Sequence, residues 1–109
     1  MILSKGDIVL ISFPFTNLNG EKLRPAVILI DSNYDITVCF VSSQLKSVEK
    51  TDIILKTNTK NGLKKDSFIK TSKIATLDKT LIKGQLGKLD QNEIELLNEQ
   101  LRFLFQLFK

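Results

Sequence analysis

The stretch that decides the fold is LRPAVILI, residues 23–30. Its nearly continuous apolar composition is typical of a β-strand that is buried on both faces. Pro25 fixes its own φ angle, supplies no N–H to a ladder and biases Arg24 toward an extended conformation. We therefore predict a buried strand that begins at the edge of a polar loop, with Arg24 held at the point where the strand starts.

Other segments of the first 90 residues have a similar strand-like composition. Residues 6–13 are rich in branched and aromatic side chains and stop at Pro14, and residues 16–22 are typical of a polar loop. Many short strands separated by turns predict a small barrel or sandwich. The remaining strands are expected at 35–42 and 51–55 and, as shorter pieces, around 67–69, 73–76 and 85–86, with a flexible basic connection over 58–66.

The C-terminus has helical periodicity. Residues 90–93 have the form of a capping box, with Asp90 as N-cap and Glu93 at N3. Apolar residues at intervals of three and four follow and predict a helix over about 91–107. Because the last residues are rich in Phe and Leu, we expect part of this helix to pack on a partner subunit. We predict a single domain over 1–109, with a β-barrel over about 5–87.

Composition narrows the chemistry. The chain has 109 residues, no histidine and one cysteine, which excludes Ser-His and Cys-His catalysis and argues against a metal site or other cofactor. Cys39 lies in an apolar run, which favours a buried structural thiol over a reactive one. No apolar stretch approaches the length of a membrane span, so we expect no membrane association and a cytoplasmic location.

The net charge of +4 is unevenly distributed. Residues 43–88 carry eleven lysines and four acidic residues, a net charge of +7, whereas residues 1–42 and 89–109 carry −1 and −2. A basic middle segment suits a polyanion or an acidic protein partner. A solvated, lysine-rich surface explains the same pattern equally well, so charge alone does not choose between them.

Two places in the sequence could carry chemistry. Arg24 is one of only two arginines, and its planar guanidinium binds phosphate in a two-point fork that lysine cannot reproduce. Ser42, Ser43 and Gln44 follow directly after a buried strand and supply three hydrogen-bonding side chains. Each has an ordinary structural explanation: an ion pair between Arg24 and a carboxylate such as Glu21, and a polar turn at the strand end.

Taken together and in order, these segments resemble the MazF/PemK/Kid toxins of bacterial toxin–antitoxin systems. The opening block of the resemblance covers residues 6–9, 13–15 and 20–29, and residues 41–44 are similar to the family's second motif, an apolar residue followed by Ser or Thr, a small residue and Gln. Residues 66–69 and 73–78 resemble its third block, and residues 87–89 precede its closing helix. The resemblance spans nearly the whole chain.

The resemblance implies a mainly β fold with a C-terminal helix, a small SH3-like β-barrel of the MazF/PemK/CcdB type. It also implies an endoribonuclease toxin that needs no metal or cofactor and inhibits translation and growth. In that family the 2′-OH of single-stranded RNA attacks the adjacent phosphorus and leaves a 2′,3′-cyclic phosphate and a 5′-OH. The catalytic positions fall on Arg24 and Ser42, with Ser43 as the neighbouring alternative. Arg24 would stabilise charge on the phosphate, and a second role as proton donor stays open.

Substrate contacts and partners follow from the same resemblance. The implied partners are single-stranded RNA, a second copy of the chain in a homodimer, and a cognate antitoxin with an acidic, partly disordered tail. Two alternatives stay open: a protein-binding gyrase poison like the CcdB toxins, and a non-catalytic RNA-binding barrel. The residues expected to bind substrate are Thr16, Asn17, Asn19, Lys22, Ser43, Gln44 and Lys46.

Overall fold

The computed structural model describes residues 2–14 and 21–108. Over these residues the chain is mainly β with one C-terminal helix, as predicted. Short 3₁₀ helices cover Leu45–Ser47 and Lys79–Leu81. The strands and the helix are β1 (Asp7–Pro14), β2 (Glu21–Asp31), β3 (Asp35–Ser42), β4 (Ile53–Leu55), β5 (Ser67–Asp78), β6 (Ile82–Lys88) and α1 (Gln91–Leu104).

All six strands belong to one antiparallel sheet in the order β4-β5-β3-β2-β1-β6. In the part of the chain that the structure describes, no ladder joins the two end strands β4 and β6, so the predicted barrel is not closed by strand pairing. Instead, the N–H of Lys88 in β6 donates to the carbonyl of Lys60, in the connection between β4 and β5, at 3.0 Å. The sheet's two ends are thus held together through a loop.

Strand β2 is longer than its apolar run and changes partner along its length. It pairs with β1 through residues 21–27 and with β3 through residues 26–31. Glu21 and Lys22, which we expected in the preceding loop, already belong to the strand. Ala26, Val27 and Ile28 are fully buried, whereas Leu23 and Ile30 are more than half exposed. Burial on both faces is therefore correct for the middle of the stretch and wrong for its ends.

Both faces of the sheet carry apolar clusters, which explains the buried middle of β2. The first cluster includes Val27 and Leu97 and lies between the sheet and α1, and the second includes Ala26 and Ile28. The predicted capping box starts the helix: Asp90 accepts from the Glu93 N–H at 2.8 Å, and Glu93 accepts from the Asp90 N–H at 2.9 Å. Within the described residues, no helix combines the length and apolarity needed to cross a membrane.

Strand β5 corrects a prediction. The two short strands expected at 67–69 and 73–76 are one twelve-residue strand, Ser67–Asp78. Its ladder with β3 shifts register between Cys39↔Ile74 and Phe40↔Lys70, so the irregularity falls at the gap between the two expected pieces. A β-bulge bends a strand without ending it. The sequence pattern of such a strand is therefore easily interpreted as two short strands.

The buried side of β5 holds an ion pair that anchors the segment after β3. Lys70 is 3% exposed, and its Nζ lies 2.5 Å from Oδ2 of Asp52, whose side chain is 1% exposed. The same ammonium donates to the Ser47 carbonyl, and Asp52 accepts from the Glu49 N–H at 2.7 Å. These contacts fix the segment between β3 and β4 against the sheet, and this segment contains Ser43 and Gln44.

We expect loss of the Asp52 carboxylate to destabilise the protein far more than loss of Asp31. Asp52→Ala leaves the Lys70 ammonium buried without its close partner, at a cost of about 3–5 kcal/mol in the free energy of unfolding. Asp31→Ala removes a pair with Lys79 whose side chains are 30% and 33% exposed, and it should cost about 0–1 kcal/mol. Urea unfolding of the two variants measures both values, and equal losses would contradict the buried pair's structural role.

Candidate functional site

A cleft opens where strands β2 and β3 stop pairing. The last pair of their ladder toward the cleft is Ala26↔Phe40, next to Pro25. Beyond it, residues 21–25 of β2 pair only with β1, and Val41 and Ser42 of β3 pair only with β5. Because proline has no N–H to donate to a ladder, its position is where two neighbouring strands can separate at low cost.

The cleft has a volume of about 450 Å³ and combines apolar with polar residues. Its apolar residues come from β1, β2, β3 and β6 and from the connection between β4 and β5. Its hydrogen-bonding and charged residues are Arg24, Ser42, Ser43, Gln44, Lys64, Lys65 and Ser67. An apolar pocket with a few convergent polar groups is the usual form of a ligand site.

The structure brings together four of the residues predicted from sequence. Arg24, Ser42, Ser43 and Gln44 all line this cleft, although Arg24 lies on β2 and the other three follow or end β3. Arg24 and Ser42 are half-buried, whereas Ser43 and Gln44 are exposed. The Ser42 hydroxyl oxygen accepts a hydrogen bond from the Gln44 N–H at 3.1 Å. That bond uses an oxygen lone pair, so the hydroxyl proton can be donated to a ligand.

The other predicted contacts are placed differently. Lys22 is exposed on β2 and Lys46 is exposed in the 3₁₀ helix that follows β3, and neither is among the residues that line the cleft. Thr16, Asn17 and Asn19 lie outside the described residues. The cleft therefore unites residues of the two motifs that carry the resemblance, whereas Lys22 and Lys46 do not line it.

Sequence reasoning missed one wall of the cleft. Gly62, Leu63, Lys64 and Lys65 belong to the connection between β4 and β5, which we had expected to be merely flexible and basic. The concentration of lysines in residues 43–88 was a signal for this wall. It could not place any particular lysine beside Arg24, since the two segments are about forty residues apart in the chain.

The single cysteine does not belong to the site. Cys39 is fully buried in the first apolar cluster, and its thiol donates toward the Thr71 carbonyl at 3.8 Å. Burial raises the pKa of this thiol to about 12, against a smaller opposing effect of the positive charge on Lys5. Because the thiolate is the reactive form, Cys39 is an inert core residue, as the sequence predicted. No group of three or more His, Cys, Asp or Glu side chains in the described ranges could hold a metal ion.

Solved structures that are similar to this chain include toxins and endoribonucleases of mycobacteria. An endoribonuclease in complex with its cognate antitoxin, from a mycobacterial species, has a TM-score of 0.75 at 14% identity and covers 97% of each chain. The Mycobacterium tuberculosis toxin MazF-mt6 has a TM-score of 0.70 at 18% identity, with 90% of this chain and 96% of that one covered. A second mycobacterial endoribonuclease has a TM-score of 0.71 at 14% identity, covering 96% and 92%.

The sequence itself gives the family. No curated protein matches the chain. Residues 4–105, however, match the family model of the PemK-like, MazF-like toxins of type II toxin–antitoxin systems. Since this match covers nearly the whole chain, the protein belongs to that toxin family. The resemblance inferred from residues 6–29 and 41–44 is confirmed, and the alternative of a CcdB-like gyrase poison receives no support.

Proposed function

We propose that the protein is an endoribonuclease toxin that cleaves single-stranded RNA through attack of the substrate's own 2′-OH. The observation that carries this proposal is the convergence of Arg24 and Ser42 on one cleft, in a chain that belongs to the PemK-like, MazF-like toxins. The chain lacks histidine, and this reaction needs no nucleophile from the protein. We place its action in the cytoplasm, where messenger RNA is translated.

The reaction requires alignment and charge stabilisation more than covalent chemistry by the protein. The 2′-oxygen bonds to phosphorus and loses its proton, the bond from phosphorus to the 5′-oxygen breaks, and that oxygen gains a proton. The products are a 2′,3′-cyclic phosphate and a 5′-OH. Negative charge grows on the non-bridging phosphoryl oxygens in the transition state, so donors fixed beside those oxygens lower the barrier.

Arg24 and Ser42 suit these two tasks. The guanidinium binds two phosphoryl oxygens at once, and its charge offsets the charge that develops on them. Arg24 is held on β2 by pairing with Ile11 of β1, so its backbone is fixed before substrate arrives. Ser42, whose oxygen already accepts from the Gln44 N–H, donates a hydrogen bond to a phosphoryl oxygen or orients the 2′-OH. Because a guanidinium group is a poor proton donor, we assign Arg24 charge stabilisation and leave proton donation to solvent.

Removal of either side chain should abolish most cleavage while the fold is kept. We expect Arg24→Ala and Ser42→Ala each to lower kcat by a factor of about a hundred or more, since one lost transition-state donor costs about 3 kcal/mol. Arg24→Lys should recover little, because an ammonium cannot make the two-point contact. The assay incubates single-stranded RNAs that together contain every nucleotide triplet with the protein in EDTA, and then maps the cut sites and the chemistry of the ends.

Two controls make this test specific. Ser32→Ala alters an exposed serine in the turn between β2 and β3 and should leave kcat unchanged. A substrate with 2′-deoxyribose on the 5′ side of the mapped cut should resist cleavage there. Wild-type cleavage by Arg24→Ala, or cutting of the 2′-deoxy substrate, would overturn the mechanism. RNA binding without any cleavage would instead support the non-catalytic alternative.

We further propose that the C-terminal end of the chain packs against a second copy. The exposed fractions of Phe103, Phe105, Leu107 and Phe108 are 64%, 57%, 58% and 76%. Gln106 has a φ of 57°, and the Leu107 N–H donates to the Arg102 carbonyl at 2.8 Å, so these side chains follow an ordered helix end. Several large apolar side chains presented together are typical of an interface.

This proposal predicts a dimer that depends on the C-terminal apolar residues. Sedimentation equilibrium should give twice the chain's 12.3 kDa mass for the wild type. The variant Phe105→Ser/Phe108→Ser should be monomeric or should have a much higher dimer dissociation constant, because its interface loses two aromatic side chains. A control variant that changes one exposed aromatic residue far along the chain from the C-terminus, Tyr34→Ser, should leave the mass unchanged. A wild-type monomer would refute the proposal.

We also propose an antitoxin partner whose acidic segment competes with RNA. A structural neighbour is an endoribonuclease in complex with its cognate antitoxin, and the cleft of this chain carries Arg24, Lys64 and Lys65. A carboxylate-rich segment complements such a surface. The protein encoded next to this gene, if small and acidic, should co-purify with the toxin and raise the KM for RNA or abolish cleavage. Tight binding by that protein with no effect on RNA binding or cleavage would exclude a shared site.

A further inference from the structure

The connection between β4 and β5, residues 56–66, contains four lysines and a single acidic residue, Asp66. That carboxylate accepts from the Thr57 N–H at 2.8 Å and so joins the two ends of the connection. Among the residues that the structure describes, neither Lys64 nor Lys65 forms an ion pair. The connection therefore presents positive charge that no carboxylate of the described chain neutralises.

Two asparagines fix the backbone of this connection. Asn61 is fully buried, and its side chain donates to the Lys56 carbonyl at 2.8 Å and accepts from the Leu63 N–H at 3.0 Å. Asn58 accepts from the N–H groups of Lys60 and Asn61 at 2.9 and 2.7 Å. Most of the turn is thus hydrogen-bonded to itself, and a loop with satisfied backbone groups resists rearrangement.

Two glycines allow the backbone of the connection to pack directly against the backbone of β6. Gly62 has a φ of +67°, and a Cβ there would lie 2.0 Å from the Leu86 carbonyl oxygen; a Cβ on Gly87 would lie 2.2 Å from the Lys60 carbonyl oxygen. Only glycine allows backbones to approach so closely at these positions. On the cleft side, the Ser67 hydroxyl donates to the Lys65 carbonyl at 2.8 Å. The lysines at 64 and 65 consequently extend from a backbone that is fixed without any ligand.

We propose that Lys64 and Lys65 bind the RNA phosphates that flank the scissile one. This inference rests on the proposed function, because Lys64 and Lys65 line the same cleft as Arg24 and Ser42. A nucleic-acid strand has a phosphate at each nucleotide, so a strand held at Arg24 places further phosphates nearby. The cleft also has apolar side chains on which unpaired bases can bury part of their faces, at Leu10, Leu23, Val41, Leu63 and Leu86.

The arginine and the lysines have different roles in this proposal. Arg24 makes a directional two-point contact where charge develops, whereas lysine ammonium groups act as mobile point charges on flexible stems. Contacts of the second kind position the strand without reading its bases. Lys64 and Lys65 are therefore positioning residues: they should govern the KM and the salt dependence of binding, and leave kcat and the choice of cut site unchanged.

The test measures binding of a single-stranded 2′-deoxy oligonucleotide, which cannot be cleaved by 2′-OH attack, together with cleavage of the matching RNA. Lys64→Ala/Lys65→Ala should raise Kd about tenfold at low salt and reduce the slope of log K against log salt by about 1.4, or about 0.7 per phosphate contact. The KM for RNA should rise similarly with kcat unchanged. Lys64→Arg/Lys65→Arg should restore Kd, KM and slope.

The matched control removes the same charge from the same connection. Lys56 and Lys60 are exposed and are not among the cleft-lining residues, so Lys56→Ala/Lys60→Ala should change Kd less than about twofold and keep the slope. Equal effects of the two double variants, or no effect of the change at 64 and 65, would overturn the inference. If the wild type binds the oligonucleotide through Lys64 and Lys65 yet cleaves no RNA, the proposed function fails and the phosphate contacts stand. If the wild type cleaves RNA and both double variants cleave it with the same KM, only the inference fails.

Discussion

The end of the β2–β3 ladder beside Pro25 is the constraint on which the site depends. Strand β2 is paired on both sides only at Ala26 and Val27, because it pairs with β1 through residue 27 and with β3 from residue 26 onward. Before that point β2 and β3 are separate, and the cleft lies between them. A continuous ladder there would fill the gap with backbone hydrogen bonds. Instead, Arg24 and Ser42 lie on neighbouring strands, at positions that the ladder between those two strands does not reach.

Polar networks hold the remaining parts of the cleft. The buried pair of Lys70 and Asp52 fixes the segment that contains Ser43 and Gln44, while Asn58 and Asn61 fix the connection that carries the cleft-lining lysines. A buried ion pair is a weak source of net stability, so its place in this fold fits a role in positioning. The cationic and hydroxyl groups of the cleft are therefore held in place without a ligand, which suits the proposed cleavage at a site that supplies no nucleophile.

Short-range sequence signals predicted much of the fold, and the family resemblance predicted four of the residues that line the cleft. The capping box at Asp90, the burial of Cys39 and the strand Asp35–Ser42 follow from short-range sequence signals. Arg24 and Ser42 were predicted as site residues because their motifs resemble a family, and both line the cleft. Strand β5 is a single strand rather than the two predicted pieces, because a register shift in its ladder with β3 cannot be distinguished from a loop within a few residues of sequence. The connection at 56–66 looked flexible because hydrogen bonds among Asn side chains and backbone leave no periodic signal.

The sequence by itself determined the mainly β class with a C-terminal helix, the absence of histidine chemistry, and the family. These properties depend on residue type and on spacing within single segments, where alternation, capping and composition act locally. Only the tertiary structure decided that Arg24, Ser42 and Lys64 line one cleft, since they come from three segments brought together by strand pairing and by the contact of Gly62 with β6. The distances between these side chains are set by that packing, and no pattern along the chain encodes them directly.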